Sequence, residues 1–372
     1  MSKETGMTPR QRRGAPEMPT RKKRATMRDI ARLAGGVHPS TVSLALCNHP
    51  SISLATRKRI QAVAKAVGYR RDPLLDAFNA RRLVMLPHRI QPVIAFVADF
   101  ESRDALENSP HHAALWRSAA AAGQSLYCRL ELFLIGRGGL TAERLDSILH
   151  TRGIDLLVAA ALPAGIAQLH VAWDRYCAVK IDCFDWEVPG HTIAADLRQG
   201  MRLAVGKARN LGYRRIGLAM ARVGEVMRND LLKAGYLIEQ HQDPGEQQIP
   251  FLFMEEQADP RVLEQWIRTH QVDAVLSNQA GFGDMLKAAG FTGPSNVAWA
   301  CLDVTNTGAD VAGMVMPDES VGSLAVEQVV YLSRTNQRGI PPSASFTFVS
   351  VGWRDGASLP PRSVEHPSHL LQ

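Results

Sequence analysis

Nowhere in these 372 residues does an apolar run approach the roughly 18 that a membrane-spanning helix needs. The amino terminus carries charge and no apolar h-region, so it does not read as a secretory signal, and a cytoplasmic location is the expectation. Cysteine is scarce. Cys47, Cys128, Cys177, Cys183 and Cys301 are odd in number, scattered and without a C-x-x-C pair, which leaves zinc and dithiol chemistry without their usual spacing. Reduced, mostly buried thiols are expected. Catalytic signatures are missing too: no G-x-S-x-G, Walker A or H-E-x-x-H occurs. "LFLIGRGGL" puts glycines 136, 138 and 139 after an apolar run without G-x-G-x-x-G spacing, so it reads as a turn rather than a dinucleotide loop. No enzyme activity, cofactor or metal is expected.

What is present is an uneven distribution of charge. Residues 1–82 hold 18 Lys/Arg against 5 Asp/Glu, whereas the remaining 290 hold 25 against 31. A basic head on a mildly acidic body points to a polyanion met by the head alone, with nucleic acid the leading candidate and a solvated basic tail the alternative.

Residues 1–24 are polar, contain Pro9, Pro16 and Pro19 and end in "RKKR", the composition of a disordered basic tail. Order is predicted from "TMRDIARLAGG", where Thr26 and Asp29 resemble a capping box and Ile30 and Leu33 supply an inward face. "HPSTVSLAL" follows, with Pro39 at a first helical position and Val42 and Leu46 spaced to pack on one side. Ser53 can cap a third helix through "LATRKRIQAVAKAVGY", with Ile60, Val63 and Val67 as its stripe and Gly68 as its stop. Two helices joined by a glycine-bearing turn and braced by a third predict a small all-α helix-turn-helix DNA-binding domain over residues 25–71. A recognition helix needs small or polar residues toward the groove and apolar ones behind it. Ser40, Thr41 and Ser43 offer the first, Val42 and Leu46 the second.

Beyond a linker over 72–90 the pattern changes. Strands are predicted at "PVIAFVAD", "LELFLI", "DLLVAAAL", "CAVKID", "HTIAAD", "RIGLAM", "IPFLFME", "DAVLSN" and "NVAWACLD", most separated by helical segments. Near-continuous apolar strands between helices predict parallel sheets covered on both faces, here two α/β lobes over residues 91–356 with a short tail over 357–372. Ligands of such bodies bind at the carboxyl ends of strands.

"MRDIARLAG", "VHPSTVSLAL", "ATRKRIQAVAKAVGYRRDP" and the α/β body resemble the lactose-repressor (LacI/GalR) family of bacterial transcription regulators, from about Thr26 to about Gly356. The resemblance implies a homodimer or tetramer on near-palindromic double-stranded operator DNA, with a periplasmic-binding-protein-like body that holds a small effector such as a sugar. It places base reading on Pro39, Ser40 and Leu44, and Thr41, Ser43 and Asn48 near phosphates. Where many members carry a long polar residue this chain has Leu44, which suits a thymine methyl rather than a guanine fork. The turn is also one glycine longer than usual, and Gly35 and Gly36 can absorb the insertion in left-handed geometry. In "RDPLLDAFNARR" the resemblance makes Phe78 a minor-groove lever and brings Arg81 and Arg82 to backbone phosphates. The alternative is a structured linker whose Phe78 packs on the body.

In the body the resemblance places His111 and His112 beside the ligand, with Asp196, Asn278 and Asp303 as hydroxyl partners. The family's frequent arginine, three residues before Gly235, is Leu232 here; Arg228, one turn earlier, is the substitute. That departure keeps an effector-independent DNA-binding protein among the readings. A sugar-binding transport protein would share the body but would carry a signal peptide and no helix-turn-helix.

Overall fold

The computed structural model describes residues 25–46, 51–69, 91–135, 139–160, 171–182, 190–221, 226–242, 248–255, 259–279, 281–294 and 296–362, the side chains of 226–229 excepted. The basic tail over 1–24, Asn48, the linker with Phe78, Arg81 and Arg82, the Arg228 side chain and residues 363–372 lie outside the described residues. The chain divides into two compact units, Met1–Met85 and Leu86–Gln372.

The first unit is built from three helices: α1 (Met27–Leu33), α2 (Pro39–Leu46) and α3 (Leu54–Ala66). Thr26 closes α1 with a capping box, since its hydroxyl takes the Asp29 N–H while the Asp29 carboxylate takes the Thr26 N–H at 2.9 Å. Ser53 caps α3 through the Thr56 N–H. The inner face of α1 differs from the sequence expectation: Ile30, Ala31 and Ala34 are buried, whereas Leu33 is 58% exposed. The i, i+4 pair Ile30 and Ala34 lies squarely on the Val42, Ala45, Ile60 and Ala64 core, and Leu33 falls beside that stripe. In the turn Gly35 has φ +93° and Gly36 φ +71°, so both residues of the lengthened turn occupy backbone space that side chains disfavour.

The second unit holds two six-stranded sheets. The first has the order β11-β5-β4-β3-β1-β2, from β1 (Val93–Asp99), β2 (Arg129–Ile135), β3 (Leu156–Ala159), β4 (Cys177–Ile181), β5 (His191–Ala195) and β11 (Phe346–Val349), all paired in parallel. The second has the order β12-β10-β9-β8-β6-β7, from β6 (Ile216–Ala221), β7 (Leu252–Met254), β8 (Ala274–Ser277), β9 (Ala298–Cys301), β10 (Gly313–Val315) and β12 (Gly352–Arg354), parallel except for β10 with β12. Each sheet has apolar clusters on both faces, as buried parallel strands require.

Helices α4 (Arg103–Glu107), α5 (Pro110–Ser125), α6 (Ala142–Thr151) and α11 (Asp318–Arg334) serve the first sheet, and α7 (Leu197–Asn210), α8 (Val226–Gln240), α9 (Pro260–His270) and α10 (Phe282–Ala288) the second. The chain passes between lobes three times, after β5, after β10 and after β11. All nine strands read from the sequence are present; β10, β11 and β12, which flank the last two passages, were not foreseen. The expected boundary at 356 also moves. Leu359 is buried, the Tyr213 hydroxyl donates to Pro360 O at 2.7 Å and Arg362 pairs with Asp273 at 2.7 Å, so residues 357–362 pack on the second lobe.

Candidate nucleic-acid interface and ligand cleft

Helix α2 has two unlike faces. Val42 and Ala45 point into the core, completely buried, while Ser40 is exposed, Leu44 is 36% exposed and Pro39, Thr41 and Ser43 are half-buried. Two of these predicted residues, Ser40 and Leu44, lie four apart and share one side of the helix. Gln61 of α3 donates to Ala45 O at 3.2 Å and holds the last turn of α2 against α3. Residues 25–69 carry six Lys/Arg and a single acid, Asp29, which is already engaged by Arg32 at 3.0 Å.

The start of α2 is closed by a residue that the sequence reading passed over. His38 O accepts the N–H groups of Thr41 and Val42 at 2.9 and 3.2 Å, and the His38 ring accepts the Ser40 N–H at Nδ1 (3.3 Å) with Ser40 Oγ at 2.7 Å. Pro39 has no N–H to satisfy. The signal was available: a polar ring one residue before a helix-starting proline stands where a capping side chain is needed.

At the carboxyl edge of the first sheet, chain segments far apart in sequence converge. His111, in the first turn of α5, lies with Nδ1 2.9 Å from Asp318 Oδ1 at the start of α11, and with Nε2 3.6 Å from Asp182 Oδ2 just past β4. Asp318 is 5% exposed, a depth at which a carboxylate needs such a partner. Asp182 adopts φ +50° and accepts the Ala195 N–H at 3.3 Å, which ties the ends of β4 and β5 together. His112 turns to the neighbouring wall: its ring stands edge-on to Phe100 at 4.9 Å and its Nδ1 lies 2.7 Å from Ser109 Oγ. Next to Phe100, at the end of β1, burial pushes the Asp99 carboxyl above the usual carboxylate range.

The other predicted contacts each serve their own backbone with one oxygen. Asp196 caps α7 through the Gln199 N–H at 2.9 Å. Asn278, past β8, accepts the Ala221 N–H at the end of β6 at 2.9 Å. Asp303, past β9, accepts from Thr305 N at 2.9 Å and from Thr305 Oγ1 at 2.5 Å. The first bond starts a helix, the second ties the end of β6 to the segment after β8, and the third closes a local turn. Leu232, where the resemblance anticipates arginine, is 4% exposed in the apolar cluster with Met201 and Ala204. It offers no charge to a cleft. Asp182 and Asp318 were missed because nothing in their local sequence announces a partner 71 or 207 residues away.

Comparison with known proteins agrees with both units. Residues 26–72 match the family model of bacterial regulatory proteins, lacI family. An HTH-type transcriptional regulator of Mycobacterium tuberculosis is 28% identical over 223 residues, 58% of each chain, and the HTH-type transcriptional regulator MalR of Streptomyces coelicolor is 29% identical over 201 residues, 52% of each. The chain thus spans little more than half the length of the curated relatives it matches. Among solved structures, the transcriptional regulator CelR in complex with cellobiose superposes with a TM-score of 0.57 at 20% identity, covering 90% of this chain and 100% of that one. The lac repressor dimer bound to operator and the anti-inducer ONPF does so with 0.54 at 16%, covering 91% and 100%. These likenesses speak for the fold: a helix-turn-helix domain followed by a two-sheet, periplasmic-binding-protein-like body. The chain thus joins a DNA-binding domain that matches the lacI family of bacterial regulatory proteins over residues 26–72 to a body of the periplasmic-binding-protein-like fold.

Proposed function

We propose that the protein represses transcription by binding a near-palindromic operator as a homodimer, under the control of a small ligand held at the strand ends of the α/β body. The observation that carries this reading is the outward face of α2, where Ser40 and Leu44 stand exposed on a helix whose other side is core. Such a helix can enter a major groove without unfolding anything. Base reading falls to Pro39, Ser40 and Leu44, backbone contacts to Thr41, Ser43 and Asn48, and the lever that bends the duplex to Phe78, with Arg81 and Arg82 on phosphates.

The cleft reading is supported by His111 and His112 at the carboxyl edge of the first sheet, and by Asp196, Asn278 and Asp303, polar side chains that closely follow β5, β8 and β9. The fold likeness to a regulator that holds cellobiose favours a sugar or sugar derivative, with Arg228 standing in for the arginine absent at Leu232. Control requires a ligand that prefers one lobe arrangement, since equal affinity for both would shift nothing. Burial of Leu232 favours one second reading, a regulator that needs no effector.

The test is retention of genomic duplex fragments by the purified chain during a salt titration. Affinity falls by about 0.9 log units per phosphate contact for each tenfold rise in salt. No retention at low salt, with or without metabolites, refutes the proposal. Equal bend angles for wild type and Phe78→Ala refute the lever.

A further inference from the structure

We propose that His38 determines part of the base preference of this interface by fixing the Ser40 hydroxyl as a hydrogen-bond acceptor, so that the base facing the first turn of α2 is chosen by an exocyclic amino group. The inference rests on the reading of α2 as the groove-facing helix.

A backbone N–H can only donate. The Ser40 N–H reaches His38 Nδ1 at 3.3 Å, so Nδ1 carries the lone pair and the ring proton sits on Nε2. Ser40 Oγ lies 2.7 Å from the same nitrogen, and against an unprotonated Nδ1 that contact forms only with the hydroxyl donating. Little else competes for the ring nitrogen: Pro39 has no N–H, and the Thr41 and Val42 amides are taken by His38 O.

A free serine hydroxyl rotates and serves as donor or acceptor, which is why serine alone discriminates poorly between bases. Here its single proton is committed to the ring. What remains for a base edge is lone pairs, on an exposed side chain next to an exposed imidazole. In the major groove, adenine N6 and cytosine N4 present donors to such a group, whereas guanine O6 and thymine O4 present lone pairs against lone pairs. The histidine thus turns an ambivalent hydroxyl into one of fixed polarity.

Selection of sites from random duplexes by the full chain tests this, with wild type, Ser40→Ala, His38→Ala and His38→Asn compared. Wild type is expected to favour adenine or cytosine over guanine or thymine at the position that Ser40→Ala flattens, by about fivefold to tenfold, the range of one net hydrogen bond. His38→Ala brings that preference within about twofold. His38→Asn, whose carbonyl oxygen can take both Ser40 protons, restores it. Loss of a helix cap alone would lower affinity for all sequences equally and leave the preference intact. Nitrogen-15 NMR of His38 in the wild-type chain gives an arm independent of folding of the variants, and the proton on Nε2 is expected.

An unchanged preference in His38→Ala, a wild-type choice of guanine or thymine at that position, or a proton on Nδ1 overturns the proposal. Failure of the wild type to select any site removes the groove-facing reading itself, a result distinct from selection that ignores His38.

Discussion

Replacing Gly35 or Gly36 with alanine isolates what the lengthened turn demands. At Gly36 an added Cβ meets nothing within 4 Å, and at Gly35 it meets the flexible end of Arg59 at 3.8 Å, so space is not at issue. The cost is the left-handed backbone, about 1–2 kcal/mol per non-glycine residue. Set against a domain whose core is seven small-to-medium apolar side chains, such a cost is a large share of stability. It corresponds to opening that is about fivefold to thirtyfold more frequent, at tenfold per 1.4 kcal/mol.

Native-state hydrogen exchange on the full chain reads this directly. The Val42 amide, bonded to His38 O, and the Ala34 amide, bonded to Ile30 O, are expected to exchange faster by that factor in either variant, while amides of β1 keep their rates. Gly36→Asn separates backbone strain from side-chain bulk, because asparagine tolerates left-handed φ. It should exchange more slowly than Gly36→Ala despite its larger side chain. Equal rates in wild type and Gly36→Ala, or a worse outcome for asparagine, would refute the conformational account.

Leu44→Ala removes an exposed side chain and should change thermal stability by less than about 0.5 kcal/mol, yet flatten one base preference in site selection; preserved preferences would exclude Leu44 from base reading. Arg152 engages Glu131 with both guanidinium ends, at 2.9 and 2.7 Å, and that bond holds the Glu131 carboxyl below its usual range. A lowered folded-state pKa contributes stability above the unfolded value of about 4.3 and loses it as pH falls through the folded value. Arg152→Ala should therefore be less stable than wild type at pH 7 and converge with it toward pH 2, as followed by denaturant unfolding; a constant difference would exclude the pair. Burial pushes the thiols of Cys128 and Cys301 up and that of Cys177 up to about 11. Alkylation at pH 8 should spare these three until denaturant is added, as peptide mass mapping would show.

The first unit was the most legible part of the chain, because its signals are local. A capping pair three residues apart, a proline at a helix start and a serine before an apolar stripe each act within one turn, and all three are realised. Leu33 shows the limit of periodicity. Both Leu33 and Ala34 lie within a turn of Ile30, and hydrophobicity favours leucine for the core, but α2 and α3 approach the alanine side. Most of the nine strands read from the sequence were legible for a related reason: burial on both faces leaves a continuous apolar run, as in β1, β3 and β8. The partly exposed β11 and the three-residue β12 carry no such run, and β10, three residues within the apolar stretch 311–316, is too short to announce a strand by itself.

By itself the sequence determined the three helices of the first unit and nine of the strands, the partition of charge between a basic head and an acidic body, and the two-faced character of α2, since these depend on residues within a few positions of one another. Only the tertiary structure decided which side chains share a site. It brought Asp182 and Asp318 to His111 across three separate segments, withdrew Leu232 into the core, and engaged Asn278 with the end of β6 across 57 residues of chain. The reason is physical. Helix caps and amphipathic periods are set by bonds and spacings along the chain, whereas ion pairs and burial across a sheet edge depend on crossovers whose geometry no short stretch encodes.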